Sequence, residues 1–171
     1  MDLFTAIEKR HSYRGSFVEG RIPRKDLQRI TEAGIRAPSG YNGQTTSFLI
    51  LDDPSLLEQV GEIMANERVK TAPALISVLM DTSPTGRELQ FGIEDYSAAV
   101  ENMLLAVTAL GYATVWIDGS LRREDRAKRI GDLLGVPEIF EVRVVLPLGI
   151  PAEEGSQNEK KPFSERAWFY G

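Results

Sequence analysis

Residues 10–14, Arg-His-Ser-Tyr-Arg, set two guanidiniums and a hydroxyl at alternate positions. In an extended chain, side chains two residues apart point the same way, so Arg10, Ser12 and Arg14 would offer charge-assisted donors to one phosphate-sized anion. Surface charge scattered by chance explains the same spacing. In Ala37 to Gln44 (APSGYNGQ), one proline and two glycines set the backbone while Ser39, Asn42 and Gln44 carry donors and acceptors. Such a loop can bond the edge of a heteroaromatic ring, or simply join a helix to a strand. A third segment, Gly111 to Gly119 (GYATVWIDG), leads into a strand that stops at Asp118-Gly119, where glycine permits close backbone approach to a ligand. A plain strand ending in a turn is the competing explanation. Lys160-Lys161-Pro162 is a small cationic element that unaided reads as solvated.

The elements that must position these groups follow from periodicity and capping signals. Asp2 caps a helix over 3–10, and Pro23 opens a second with Leu27, Ile30 and Ala33 at helical spacing before Pro38 stops it. Residues 47–52 (SFLILD) and 74–80 (ALISVLM) are short apolar runs expected to be buried strands, with a helix over 54–64 between them. From Asp95 to Leu110 the chain is apolar on nearly every face, which predicts a central helix buried on most sides and ended by Gly111. A strand over 113–117, a helix over 123–134 stopped by Gly135 and Pro137, and a last buried strand over 141–150 complete the pattern. Beyond Pro151 the chain has no apolar periodicity yet carries Trp168, Phe169 and Tyr170, which need a surface to cover, on their own domain or on a second subunit.

Composition narrows the classes. The 171 residues, 42% hydrophobic and 26% charged, suit one globular domain. No apolar run approaches the roughly 20 residues of a membrane span, and MDLFTAIEKR lacks a signal-peptide pattern, so a cytoplasmic protein without a membrane partner is expected. With no cysteine and one histidine, disulfides, thiol pairs and Cys/His zinc sites are excluded, and redox chemistry must come from a cofactor. The net charge of -5 argues against nucleic acid, which needs a broad basic face. Residues 1–50 nevertheless carry eight Lys and Arg against five Asp and Glu, leaving room for a small anionic ligand.

Taken together and in this order, the segments resemble the nitroreductase family of FMN-dependent oxidoreductases over essentially the whole chain. The likeness rests on Arg10-x-Ser12-x-Arg14 after the first helix, Pro38-Ser39-x-x-Asn42-x-Gln44 after the second, Glu101 to Leu105 (ENMLL), the Gly111–Gly119 stretch and the basic C-terminal element. It implies one α+β domain over 1–171 with a mixed central sheet, and a homodimer that exchanges arms 151–171 and holds two FMN sites at its interface. Arg10, Ser12 and Arg14, with Lys160 or Lys161, would hold the FMN phosphate, and His11 would lie beside the flavin. Pro38, Ser39, Gly40, Asn42 and Gln44 would approach from the other subunit, and the backbone of Ile117, Asp118 and Gly119 would line one ring face. Asn66 and Lys70, in NERVKTAP, resemble the element facing the flavin pyrimidine, and Arg68 is able to take the role of Lys70.

The implied activity passes hydride from NADH or NADPH, by way of FMN and in ping-pong turnover, to nitroaromatic, quinone-like or related small-molecule acceptors. The cofactor carries the chemistry. Lys70 or Arg68 would stabilise charge developing at the pyrimidine carbonyl. His11, of a type that titrates near neutral pH, is a candidate acid/base group but more simply positions the flavin. Tyr41, Arg87 and Phe91 are expected to line the substrate pocket, and Trp116 to pack in the core. Two departures stand out: only DTSPTGRELQFGIE separates Met80 from Asp95, where larger members insert helices, and Lys-Lys-Pro stands where many relatives use an arginine. The alternatives are reductive dehalogenation, dehydrogenation or flavin breakdown on the same cradle, a non-enzymatic FMN carrier or sensor, and a phosphate-binding domain without flavin.

Overall fold

Alternation along the strands and apolar stripes on the helices divide the hydrophobic residues between two faces of one sheet. In this computed structural model, which describes residues 1–84 and 89–171, the order is α1 (Leu3–Lys9), α2 (Arg24–Ile35), β1 (Thr46–Leu51), α3 (Pro54–Met64), α4 (Glu67–Thr71), β2 (Ala74–Asp81), α5 (Gly92–Ala109), β3 (Ala113–Thr114), α6 (Arg126–Leu134) and β4 (Phe140–Gly149). The strands lie in the order β1-β2-β4-β3. On one face, Ala74, Ile76 and Val78 of β2 meet Leu27 and Ile30 of α2 and Tyr96, Val100, Met103 and Val107 of α5. On the other, Leu75 and Leu79 meet Leu57, Val60 and Met64 of α3, Val69 of α4 and Ile130 of α6.

Local signals set most of the helix ends. The Asp2 carboxylate accepts from the Thr5 N–H at 3.1 Å, and Asp53 accepts from Leu56 N–H at 3.0 Å with Pro54 in the first helical position. Gly135, at φ 67, ends α6 in the left-handed region. The start of α6 is three residues later than the expected Arg123, because Glu124 and Asp125 take φ 55 and 53, which no right-handed helix accommodates. Opposite the Val78/Leu79 junction of β2, Arg143 is an extra residue in β4, since Val144 pairs with Val78 and Val142 with Leu79. That bulge lets Val142 face α3 and α6 while Val144 faces α5.

Three expectations need correction. Every ladder pairing among the described residues is antiparallel, not mixed, so a parallel strand would have to come from outside these pairings. Two successive helices, α3 and α4, separate β1 from β2, where a parallel neighbour is usually reached by one crossover. The strand expected over 113–117 shortens to Ala113–Thr114 plus an isolated bridge between Ile117 and Val145, and Trp116 leaves the ladder to pack against the α5 side of the core. The central helix buries one broad face but leaves Ser97, Ala98, Asn102 and Leu105 half-covered and Ile93 exposed. The short helix α4, capped by Asn66, has too few residues to show a period in sequence.

The Tyr112 hydroxyl donates to the Asp26 carboxylate at 2.9 Å, tying the turn after α5 to α2. Burial, then the hydrogen bond and charge of Asp26, push this phenol above its ordinary value. Among the described residues no helix is long and apolar enough to cross a membrane.

Candidate functional site

Arg10 closes α1. Tyr13 N–H donates to the Thr114 carbonyl at 2.9 Å, and the Tyr13 ring is buried. Its hydroxyl donates to the Ser16 carbonyl at 2.6 Å and accepts from Ala152 N–H at 3.1 Å. Beside the buried Tyr13, Ser12 is half-covered and Arg14 exposed. Arg14 donates to the Ser12 carbonyl at 3.2 Å, and Arg68 Nε donates to the Arg14 carbonyl at 2.5 Å. Asn66 sets Arg68 in place by accepting its N–H at 3.1 Å. Among the described residues neither Arg14 nor Arg68 has a carboxylate within ion-pair distance, while Arg10 stands 3.8 Å from Glu101. The Arg14 and Arg68 guanidiniums thus meet the 12–14 backbone without a neutralising acid, while that of Arg10 is turned to Glu101.

His11 faces inward to the tail. Its Nδ1 lies 3.0 Å from the Lys9 carbonyl, and its Nε2 is shielded from solvent with no partner. Gly155 lies so close that a Cβ there would collide with that nitrogen. The tail is strapped across the same region: Phe17 bridges Pro151, and the Gln157 amide donates to the Ile7 and Arg10 carbonyls at 3.2 and 2.7 Å. Lys160 and Lys161 lie farther along, both exposed, with Lys161 3.5 Å from Glu165. The aromatics that follow are exposed, Trp168 at 73% and Phe169 at 92%, with the Phe169 ring 5.6 Å from that of Phe163.

The loop 38–44 is shaped by α5. Gly40 N–H donates to one Asp95 carboxylate oxygen at 2.7 Å, and the Thr45 hydroxyl donates to the other at 2.6 Å. Ser39 Oγ accepts from Gln44 N–H at 3.0 Å, and Tyr41, Asn42 and Gln44 all take positive φ, 54, 52 and 50. The Phe91 ring lies against Gly40 and edge-on to Tyr41 at 5.6 Å between centroids. Together with Asp81, Ser83 and Asp95 these rings line a cleft of about 240 Å3. Ser83, through its side chain and its N–H, holds the Asp81 carboxyl below the usual carboxylate value. Arg87, expected beside Phe91, lies outside the described residues. Asp95 and Thr45 carry no signal in a motif; the only hint is a carboxylate in the first turn of an otherwise apolar helix.

Ile117 exchanges backbone hydrogen bonds with Val145 at 3.2 and 2.9 Å, so 117–119 is anchored to the sheet, and the Asp118 carboxylate accepts from Arg122 at 2.9 Å. No heavy atom lies within 4 Å of the place a Gly119 Cβ would take, which leaves open space over that backbone. Lys70 is directed elsewhere. Its Nζ is 3.1 Å from Glu67 and its stem covers Gly61, in a cleft with Arg21 and Asp52. Two residues apart on a helix point to nearly opposite sides, so α4 gives Arg68 to the Arg14 backbone and Lys70 to α3. Among the described residues no group of three His, Cys, Asp or Glu could hold a metal ion.

The chain matches the family described as the nitroreductase family over residues 7–68 and 64–150. A protein of Archaeoglobus fulgidus, provisionally named an NADH dehydrogenase/NAD(P)H nitroreductase, is 34% identical over 81% of this chain and 79% of its own. A protein of Staphylococcus haemolyticus named an NADPH-dependent oxidoreductase is 27% identical over 94% of this chain and 70% of its own. Among solved structures, an FMN-dependent nitroreductase of Clostridium difficile R20291 superposes with a TM-score of 0.83 at 23% identity, covering 98% of this chain and 99% of the other, a likeness of fold.

Proposed function

The chain belongs to the nitroreductase family and is an oxidoreductase, and from that premise we propose that it binds FMN at the Arg10–Arg14 cradle and passes hydride from NADH or NADPH to a nitroaromatic, quinone-like or related acceptor. The observation that carries this reading is the pairing of Arg14 with Arg68, two guanidiniums that meet main-chain carbonyls and no carboxylate. Cationic donors left without an acid fit a phosphate dianion, which takes charge-assisted hydrogen bonds on several oxygens. Arg10, Ser12 and Arg14 hold that phosphate, with Lys160 or Lys161 reaching it from the tail. The open space over Gly119 suits a flat ring lying on the 117–119 backbone. FMN, when bound, supplies the hydride-accepting and hydride-donating centre.

The remaining roles belong to this chain's own residues. Of the two cations of α4, Arg68 lies on the cradle side and joins Arg14 in holding the cofactor in preference to Lys70, with Asn66 setting its backbone. His11 positions the tail against the cradle, because its Nε2 is closed off by Gly155 and has no route to exchange a proton with a substrate. Tyr41 and Phe91 form the wall against which a planar acceptor lies.

Two copies make the site. The cradle docks on Thr114, beyond the C-terminal end of α5, whereas the 38–44 loop docks on Asp95 in its first turn. Along the 18-residue α5, about 27 Å long, the Tyr13 part of the cradle and the loop dock near opposite ends, with Arg10 reaching Glu101 between them, and Pro38, Ser39, Gly40, Asn42 and Gln44 serve the partner's cradle. The exposed Leu3 and Phe4 of α1, Ile93 and the half-covered flank of α5, and the exposed Trp168 and Phe169 of the arm supply apolar surface for such a dimer.

The test is anaerobic titration of the purified, FMN-loaded protein with NADH and with NADPH, alongside sedimentation. The expected result is a dimer that carries one FMN per chain and whose oxidised flavin absorbance bleaches rapidly with at least one nicotinamide. A colourless monomer that takes up no FMN would overturn the proposal.

A further inference from the structure

Asp95 is a carboxylate on the buried face of α5, 4% exposed and next in line with Tyr96, Ala99 and Val100. Both of its oxygens are used, one by Gly40 N–H and one by the Thr45 hydroxyl, so a single side chain grips both ends of the segment 40–45. Three non-glycine residues inside that segment, Tyr41, Asn42 and Gln44, hold the left-handed conformation. Side chains avoid it, and such backbone persists only where its surroundings over-determine it. Asp95 also stands between two cavities. One is the cleft under Tyr41 and Phe91; the other, of about 140 Å3, lies beneath Pro38, Ser39 and Gln44, where the Thr46 hydroxyl is shielded without a partner.

Resting on the function proposed above, we propose that Asp95 is the positioning residue of this site: by gripping Gly40 and Thr45 it holds the loop in the shape that meets the flavin on one side and the electron acceptor on the other. A carboxylate is required because both of its oxygens accept. An asparagine keeps one acceptor and turns an amide N–H2 toward the second donor, so one end of the loop is released. Asp95 acts through the loop that it holds.

The test compares wild type with Asp95→Asn, Thr45→Val and Thr45→Ser through three readouts. In the apo-protein, hydrogen exchange at Gly40 and Gln44 should accelerate about tenfold or more in Asp95→Asn and Thr45→Val while the α5 amides stay protected. Quenching of FMN fluorescence should report an affinity weaker by about tenfold in Asp95→Asn. In turnover, KM for the acceptor should rise more than kcat falls, and Thr45→Ser should restore all three values because its hydroxyl remains. If Asp95→Asn does not fold, Thr45→Val, which leaves the carboxylate in place and removes one of its two bonds, carries the same comparison. FMN affinity and acceptor KM unchanged in a variant whose loop amides exchange faster would overturn this role alone. Wild-type protein that takes up no FMN would overturn the proposed function and this role with it.

Discussion

Arg68 reaches from α4 to the main chain of Arg14, its Nε donating to the Arg14 carbonyl at 2.5 Å, across 54 residues of sequence. The contact fixes the Arg68 guanidinium against the main chain of the Arg10–Arg14 run and ties α4 to it. Lys70, two residues later, is held by Glu67 on the other side of the same helix.

The first prediction separates those two cations. Arg68→Ala should weaken FMN binding by about tenfold or more, the scale of a hydrogen bond to a charged group, and slow flavin reduction by NAD(P)H. Lys70→Ala removes a partly exposed ion pair and should change both by no more than about twofold. Fluorescence titration and stopped-flow reduction measure the pair; equal effects from the two variants would contradict the assignment of Arg68.

Phosphate recognition can be isolated from ring recognition. Arg14→Ala should lower FMN affinity by roughly tenfold to a hundredfold and leave riboflavin, which has no phosphate, bound as in wild type. Parallel titrations with the two ligands check this, and a matching loss for riboflavin would place Arg14 at the ring instead.

Gly40→Ala probes the wall of the acceptor cleft. The new Cβ would lie 2.3 Å from Phe91 Cδ2, so the ring must move, and overpacking of this kind costs about 1–3 kcal/mol. The expected outcome in urea denaturation is a loss on that scale, with an altered KM for aromatic acceptors. Gly131→Ala is the control, since its nearest neighbour is 3.7 Å away and alanine suits a helix interior. It should leave stability equal or slightly raised.

The Tyr112–Asp26 bond predicts a pH dependence. The folded phenol titrates above its ordinary value of 10.0, first because it is buried and then because Asp26 accepts its proton. A group raised in this way contributes stability that is complete below the unfolded value and is lost as pH rises through the folded one. Wild type should therefore lose stability from about pH 10 upward, and Tyr112→Phe should lack that contribution while costing about 1 kcal/mol at neutral pH. Urea midpoints from neutral to alkaline pH decide it; parallel alkaline limbs for the two proteins would exclude Tyr112 as the source.

Much of the scaffold was legible along the chain. Asp2 and Asp53 announce their helices because a cap acts on N–H groups two or three residues away, and the 74–80 run announces a buried strand because both of its faces are apolar. Where the reading failed, the cause was a competing local conformation. Glu124 and Asp125 turn left-handed and delay α6, and Trp116 leaves the ladder for the core and shortens β3.

Sequence alone determined the residue types at the candidate site and the periodicities that make two buried faces, because a period depends on neighbours within a turn or a strand. Tertiary structure decided which cation of α4 meets the Arg14 main chain and that Asp95 clamps a loop 55 residues away. Those outcomes depend on how helices dock across a sheet. Docking is set by the sum of many apolar contacts, which no spacing of polar residues records.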